Sequence, residues 1–194
     1  TFLCGEESVG TGSDHIREKD SLWAALAWLA ILADANADAS APLVGVGDIV
    51  RAHWAEFGRD LYVRYDYEEV DAAAAGAMMA HLRSGELRSG ATAAGGAVTL
   101  EAVDEFEYVD PVDGSEARLQ GVVLTLSGDA RAVFRLSGTG SAGATIRLYV
   151  ERYEADAAKH GAVAADDLKP YAAAAIEFSK LAEFTGRDEP TVIT

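Results

Sequence analysis

The segment from residue 135 to residue 147 carries chemical groups that can bind a phosphate. Two arginines, Arg135 and Arg147, bracket it. Between them, hydroxyl side chains alternate with glycines: Ser137, Gly138, Thr139, Gly140, Ser141 and Gly143. Glycines let backbone N–H groups converge on an anion, and each guanidinium can donate two parallel hydrogen bonds to a phosphate. The segment therefore predicts a phosphate site, although from the residues alone a hairpin loop with solvated arginines is an equal alternative.

A lysine lies on the apolar side of a predicted helix near the start of the chain. Lys19 stands three residues after Ile16 and four before Trp23, which is helical spacing. We expect Ser13 or Asp14 to cap this helix. The positive end of the helix dipole would meet the lysine charge at a cost of roughly 0.3–1 kcal/mol, which suits a group that gives up a proton. Alternatively, Lys19 extends to solvent or pairs with a neighbouring carboxylate.

The loop between residues 5 and 13 places two carboxylates beside a hydroxyl. Glu6, Glu7 and Ser8 are consecutive, and glycines flank them on both sides. Such groups accept and donate hydrogen bonds to neighbouring hydroxyls of a sugar. Solvated glutamates are the alternative, so the pattern alone leaves a sugar-binding role open.

The elements that must position these groups follow from hydrophobic spacing. Strands are predicted at 61–67, 97–102, 105–109, 121–126, 131–136 and 144–150. Helices are predicted from the cap at Ser13 or Asp14 to residue 33, and at 49–57, 70–82 and 166–186. This order indicates an α+β fold in which helices cover one face of an antiparallel sheet.

Three of the predicted helices carry specific expectations. The apolar run of the first, at 22–33, is too short for a bilayer, which needs roughly 20 residues, and we expect this helix to be buried. The second is expected to be capped by Asp48 and closed by Gly58, with Ile49, Val50, His53, Trp54 and Phe57 inward. In the third, Met78 and Met79 are expected to fill the core.

Composition excludes several classes of partner. The chain has 194 residues and a formal net charge of −16, so nucleic acid and anionic membrane surfaces are poor partners. Its single cysteine, Cys4, excludes an internal disulfide framework. The sequence starts without methionine and in the middle of a strand-like pattern. We therefore expect it to be the C-terminal part of a longer chain.

Three stretches together resemble the C-terminal part of the α-phosphoglucomutases, within the α-D-phosphohexomutase superfamily. They are Cys-Gly-Glu-Glu-Ser-Val-Gly-Thr-Gly-Ser-Asp-His-Ile-Arg-Glu-Lys-Asp at 4–20, the segment at 135–147, and Phe-Thr-Gly-Arg-Asp-Glu-Pro-Thr-Val-Ile-Thr at 184–194. The resemblance implies four domains around a cleft. Residues 1–58 would be the end of a mixed α/β third domain that binds sugar, and residues 59–194 an α+β fourth domain that binds phosphate.

The resemblance also implies roles for individual residues. Glu6 and Ser8 would hold two neighbouring sugar hydroxyls, and Lys19 would do general acid–base work. The phosphate that is not reacting would be gripped by Arg135, Ser137, Thr139 and Arg147.

The implied reaction interconverts glucose 1-phosphate and glucose 6-phosphate, which is isomerase chemistry. A phosphorylated serine donates its phosphoryl group, and glucose 1,6-bisphosphate is the intermediate. The family's phosphoserine loop and Mg²⁺ ligands would lie in N-terminal domains that precede Thr1, so this chain alone would not turn over substrate. The implied location is cytoplasmic, with plastids as the alternative.

Two other functions stay open on the sequence. One is a catalytically silent relative that serves as a structural component of a larger assembly. The other is a sister hexose-phosphate mutase with a different sugar preference. The phosphoserine and metal loops of the full-length protein would separate an enzyme from a scaffold.

Overall fold

The structure is a computed structural model that describes residues 3–5, 10–16, 18–140 and 143–194, and only the backbone at 138–140. The chain forms two compact units. The first comprises Thr1–Arg59 and Ala155–His160, and the second comprises Asp60–Glu154 and Gly161–Thr194.

The first unit consists of a short hairpin and two helices. Strands β1 (Leu3–Gly5) and β2 (Thr11–Ser13) pair antiparallel. They are followed by α1 (Ser21–Ala35) and α2 (Val46–Phe57).

Helix α1 is not buried, so the prediction of a buried helix is wrong. Leu22 is 77% exposed, Leu26 66% and Leu29 61%, and no residue of the helix is buried. Within the described part of the first unit, α1 packs against β2 of the short hairpin. A short hairpin has too little apolar surface to enclose a helix of 15 residues. Across the described residues, no helix is both long and apolar enough to cross a membrane.

Helix α2 is capped differently from the prediction. Its N-cap is Gly45, and the Asp48 carboxylate accepts a hydrogen bond from the Gly45 N–H at 2.9 Å, so Asp48 lies inside the first turn. The prediction that Gly58 closes the helix is confirmed, because its N–H donates to the carbonyl of Trp54 at 2.9 Å. Phe57 is 58% exposed rather than inward. His53 is also exposed, whereas Ile49, Val50 and Trp54 are half-buried.

A seven-stranded sheet forms the second unit. Its strands are β3 (Arg59–Val70), β4 (Thr92–Ala93), β5 (Val98–Val109), β6 (Glu116–Leu126), β7 (Ala130–Gly140), β8 (Gly143–Glu154) and β9 (Val192–Ile193). The order across the sheet is β4-β5-β6-β7-β8-β3-β9, and every pairing with a described register is antiparallel. The two strands predicted at 97–102 and 105–109 are one strand, β5, with two irregularities in its pairing with β6. The irregularities interrupt the alternation of side chains, which explains why the sequence predicts a break.

Helices cover one face of this sheet, as predicted. They are α3 (Ala72–Arg83), α4 (Ala164–Asp167), α5 (Lys169–Ser179) and α6 (Leu181–Thr185). Buried residues on alternate positions of β6, β7 and β8 form the core with α3 and α5: Leu124, Leu126, Ala132, Phe134, Ile146, Leu148, Met78, Met79, Ala175 and Phe178. The prediction that both methionines are core residues is confirmed. The intervening positions of β7 and β8 lie on the other face, which carries Arg131, Arg135 and Arg147.

The predicted helix at 166–186 is divided into three pieces. Pro170 lies in the first turn of α5, where a residue without an N–H is tolerated but cannot continue α4. Lys180 has φ 50°, a left-handed conformation that separates α5 from α6. Gly186, also left-handed at φ 67°, ends α6.

Candidate functional site

The segment predicted as a loop is largely the end of a hairpin. Strand β7 runs to Gly140 and β8 begins at Gly143, which pairs with Gly140. Gly143 has φ 97°, and a Cβ there would lie 3.0 Å from the carbonyl oxygen of Val70. A glycine is therefore required where the hairpin passes the end of β3. The intervening residues, Ser141 and Ala142, lie outside the described residues.

The two predicted phosphate-binding arginines lie directly opposite each other. Arg135 pairs with Arg147 across the β7–β8 ladder, so both side chains start from the same face of the sheet. On the same face, Arg131 lies opposite Glu151 and forms a salt bridge with it at 2.5 Å. Like charges at directly opposite positions are destabilising. The Arg135 end of the hairpin thus has an excess of positive charge that an anion would neutralise.

Arg135 is held close to β6 by its side chain. Its Nε donates to the carbonyl of Gln120 at 3.1 Å. A Cβ on Gly121 would lie 2.9 Å from Arg135 Cγ and 2.8 Å from the carbonyl oxygen of Phe134. The absence of a side chain at Gly121 therefore leaves the space that the Arg135 side chain occupies. The sequence predicts a strand that starts at Gly121, whereas Gly121 lies within β6, where a glycine often marks a close approach.

Arg147 has an acidic neighbour on β3. Its Nε lies 3.8 Å from Oδ2 of Asp66, whose Oδ1 accepts a hydrogen bond from Arg64 Nε at 2.9 Å. Asp66 is buried. The sequence places Arg64 and Asp66 on one side of a strand, but their proximity to Arg147 depends on the β8–β3 adjacency in the sheet.

The structure places the remaining predicted residues only in part. Ser137 is half-buried and pairs with Thr145, two positions beyond Arg135 and on the same face. The side chain of Thr139 and the residues Glu6 and Ser8 lie outside the described residues. The sugar-binding roles of Glu6 and Ser8 and the phosphate-binding role of Thr139 stay predictions.

Lys19 lies before the helix rather than on its apolar stripe. Helix α1 begins at Ser21, and its N-cap is Asp20, which accepts hydrogen bonds from the N–H groups of Leu22 and Trp23 at 3.0 Å. The predicted caps at Ser13 and Asp14 are wrong because Ser13 belongs to β2 and Asp14 to the following turn. Lys19 is exposed and precedes the cap by one residue. Its proposed proton transfer therefore depends on its position beside the helix N-terminus, not on the stripe.

Two glycines let the Lys19 segment lie against β2. A Cβ on Gly10 would lie 2.7 Å from Lys19 Cδ, and a Cβ on Gly12 would lie 2.7 Å from the carbonyl oxygen of Glu18. The N–H of Asp20 donates to the carbonyl of Thr11 at 3.0 Å. The position of Lys19 is thus set by close contact with Gly10 and with β2, at the end of the segment 5–13.

A histidine connects β2 to the start of α1. Nδ1 of His15 lies 2.6 Å from Ser13 Oγ, and its Nε2 lies 2.9 Å from Oδ2 of Asp20. The pKa of the Asp20 carboxyl is lowered, first by the hydrogen bond from His15 and then by the N–H of Trp23. Residue types alone do not indicate this network, because its members meet only where the start of α1 lies against β2.

No group of three or more His, Cys, Asp or Glu side chains that could hold a metal ion occurs in the described part of the chain.

Comparison with known proteins identifies the family. Residues 59–191 match the family model of the phosphoglucomutase-1 C-terminal domain. Residues 1–54 match that of the phosphoglucomutase/phosphomannomutase alpha/beta/alpha domain III.

Individual relatives agree with these matches. The chain is 54% identical over 194 residues to chloroplastic phosphoglucomutase 1 of Marchantia polymorpha, covering 99% of this chain and 30% of that protein. It is 54% identical over 201 residues to the cytoplasmic phosphoglucomutase of Pisum sativum, covering 99% and 34%.

A solved structure also matches over the whole chain. The open form of parafusin, an exocytosis-sensitive phosphoprotein and phosphoglucomutase from Paramecium, superimposes with a TM-score of 0.82 at 47% identity, covering 100% of this chain and 32% of that one. The chain spans about a third of the length of these relatives. It belongs to the phosphoglucomutase family and corresponds to the C-terminal portion of its members.

Proposed function

We propose that this chain is the C-terminal part of a phosphoglucomutase, an isomerase that interconverts glucose 1-phosphate and glucose 6-phosphate. Its task is to grip the phosphate that is not reacting through Arg135, Ser137, Thr139 and Arg147. The observation that carries the proposal is the like-charge pair of Arg135 and Arg147 on one face of the β7–β8 ladder. In a chain with a net charge of −16, such a pair attracts an anion locally.

The distal phosphate supplies binding energy away from the reacting centre. Phosphoryl transfer depends on positioning and on neutralisation of charge more than on covalent help from the protein. Two guanidinium groups that hold one end of a hexose phosphate keep the other end in line with the attacking group. The phosphoserine that exchanges phosphate through glucose 1,6-bisphosphate is assigned to the N-terminal domains.

Mg²⁺ belongs to the same N-terminal part in this proposal. When bound there, it neutralises charge on the transferring phosphate. The described residues of this chain contribute no metal-binding cluster, and no role in metal binding is assigned to them.

The first unit is proposed to handle the sugar. Glu6 and Ser8 accept and donate hydrogen bonds to two neighbouring hydroxyls, which exchange places when the sugar reverses its orientation between the two half-reactions. Lys19 transfers a proton as a general acid or base, supported by its place beside the N-terminus of α1 and its close contact with Gly10.

The proposal also covers domain boundaries, partners and location. Residues 1–58 are assigned to the end of the sugar-binding third domain and residues 59–194 to the phosphate-binding fourth domain. The exposed leucines of α1 fit a helix that packs against the preceding part of the same polypeptide.

Sugar phosphates and these N-terminal domains are the partners, with no role for nucleic acid or membranes. Relatives occur in both the cytoplasm and chloroplasts, and we assign this chain to the cytoplasm with plastids as the alternative.

A steady-state assay of the full-length protein that contains this chain tests the proposal. With glucose 1-phosphate as substrate, Arg147→Ala should raise KM and lower kcat/KM by about 10²-fold, the scale of a lost orienting contact. The matched control is Arg131→Ala, because Arg131 lies on the same strand face but is neutralised by Glu151. Unchanged kinetics in Arg147→Ala, or an equal loss in Arg131→Ala, would reject the phosphate role. A full-length protein without mutase activity would instead favour the alternative, a catalytically silent relative with a structural role.

A further inference from the structure

Asp66 is a buried carboxylate that lies between two arginines. Its Oδ1 accepts a hydrogen bond from Arg64 Nε at 2.9 Å, and its Oδ2 lies 3.8 Å from Arg147 Nε. A buried carboxylate is stable only with charged or hydrogen-bonding partners. One of its oxygens is thus occupied by Arg64, and the other faces Arg147.

The guanidinium of Arg147 is exposed unevenly. Its Nε is buried and has no hydrogen-bond partner among the described residues. The side chain as a whole is nevertheless 39% exposed. Since Nε contributes none of that exposure, the accessible part lies elsewhere on the side chain. A guanidinium binds an oxyanion either through Nε and one terminal nitrogen or through both terminal nitrogens. Burial of Nε beside a carboxylate favours the second mode.

We propose that Asp66 is a positioning residue that holds Arg147 by its Nε, so that the two terminal nitrogens face the phosphate. This inference rests on the proposed phosphate role of Arg147. A shift of about 1 Å brings the 3.8 Å separation into the range of a charge-assisted hydrogen bond. Asp66 then contacts the Nε of Arg147, and the phosphate contacts the two terminal nitrogens, so the two anions do not compete for the same N–H groups.

The backbone around Asp66 is fixed by the C-terminal strand. The N–H of Thr191 donates to the carbonyl of Asp66 at 2.7 Å. Arg64 and Thr194 exchange two backbone hydrogen bonds, of 2.8 and 3.0 Å. The residues on either side of β9, Thr191 and Thr194, therefore hold the backbone of β3 at Asp66 and at Arg64. A group that orients another needs such a rigid support.

A double-mutant cycle in the full-length enzyme tests the inference. Values of kcat and KM for glucose 1-phosphate are measured for the wild type, Asp66→Asn, Arg147→Ala and the double variant. Asp66→Asn should raise KM about tenfold and leave kcat within about twofold, because it weakens binding in ground and transition states alike. In the Arg147→Ala background, the same substitution should change nothing further. An equal loss in both backgrounds would show that Asp66 acts independently of Arg147 and would overturn the proposal.

The control is another carboxylate paired with an arginine in the same unit. Glu105 accepts hydrogen bonds from Arg83 at 2.6 and 2.9 Å, and Glu105→Gln should leave KM unchanged. If circular dichroism shows that Asp66→Asn does not fold, Asp66→Glu replaces it, since it keeps the charge but moves the carboxylate. Its KM should exceed that of the wild type, and a wild-type KM would overturn the proposal.

The two proposals fail in different ways. Unchanged kcat/KM in Arg147→Ala would remove the phosphate role itself. A loss in Arg147→Ala together with wild-type kinetics in Asp66→Asn would remove only the positioning role.

Discussion

The side chain of Arg135 lies across the backbone of Gly121 on the neighbouring strand. Its Cγ is 2.9 Å from the position that a Cβ on Gly121 would occupy, and its Nε reaches the carbonyl of Gln120. The direction of the Arg135 side chain is therefore set by a backbone carbonyl and by the missing side chain at residue 121.

Gly121→Ala should impair both stability and phosphate binding. The new methyl group would meet the backbone carbonyl of Phe134 at 2.8 Å, so β6 and β7 must move apart at a cost of about 1–3 kcal/mol. Displacement of Arg135 should also raise KM for glucose 1-phosphate in the full-length enzyme. Urea unfolding and steady-state kinetics measure the two effects.

The control for that substitution is Gly76→Ala in α3. Gly76 is exposed, and nothing lies within 4 Å of its added Cβ. Alanine should therefore stabilise the helix by about 0.5–1 kcal/mol and leave KM unchanged. A Gly121→Ala variant that behaves like this control would disprove the steric argument.

Lys19→Met should lower kcat of the full-length enzyme far more than it changes substrate affinity. The reason is that a proton-transfer group acts in the transition state and not in the bound ground state. The pH dependence of kcat, measured for both proteins, should lose one ionisation in the variant. Lys19→Arg keeps the charge but does not release a proton at these pH values. If Lys19→Arg restores kcat, the charge of Lys19 matters and its proton transfer does not.

The isolated 194-residue chain should bind glucose 6-phosphate weakly. The proposal assigns the phosphoserine loop and the Mg²⁺ ligands to other domains, so the chain supplies only part of the contacts. Titration calorimetry should give a dissociation constant well above that of the full-length protein. Equal affinities would contradict the assignment of binding groups to both parts.

Tyr67 should ionise late in an alkaline titration. Burial raises the pKa of its phenol to about 12, with Glu189 and Tyr65 adding to the effect. Because the folded-state pKa lies above the ordinary value of about 10, the associated stability is fully present below pH 10 and is lost as the pH rises through 12. Absorbance at 295 nm should show one fewer late-ionising phenol in Tyr67→Phe. A titration curve identical to that of the wild type would contradict this prediction.

The same variant tests the hydroxyl at neutral pH. Tyr67 Oη is buried and has no hydrogen-bond partner among the described residues. Removing a hydroxyl that makes no bond should leave the free energy of unfolding unchanged or raise it by up to about 1–3 kcal/mol. Destabilisation in urea unfolding would indicate that the hydroxyl is bonded in solution.

Periodicity in the sequence predicted helices and strands in both units, but it did not predict which of them are buried. Ile146, Leu148 and Val150 alternate with polar neighbours, and they are buried in β8 as that pattern requires. The apolar residues of α1 follow helical spacing equally well, yet the helix has no buried residue. Spacing reports which face of an element is apolar, whereas burial depends on whether another element covers that face.

The start of α1 shows that residue type alone does not predict which residue caps a helix. Ser13, Asp14 and Asp20 are all good N-caps by residue type. Ser13 does not cap the helix because it pairs with Leu3 in the β1–β2 hairpin, and Asp20 is the N-cap. Which of these residues caps α1 thus depends on strand pairing, which the type of a single residue does not predict.

The sequence by itself determined the chemistry of the candidate site: two arginines around a run of glycines and hydroxyls, and a lysine close to a helix. It also determined the family, since several long motifs occur together along the chain. Only the tertiary structure decided that Arg135 faces Arg147, that Gly121 makes room for one, and that Asp66 lies beside the other. These relationships join strands that are distant in sequence, and they arise from sheet order and register, which are fixed when the core packs.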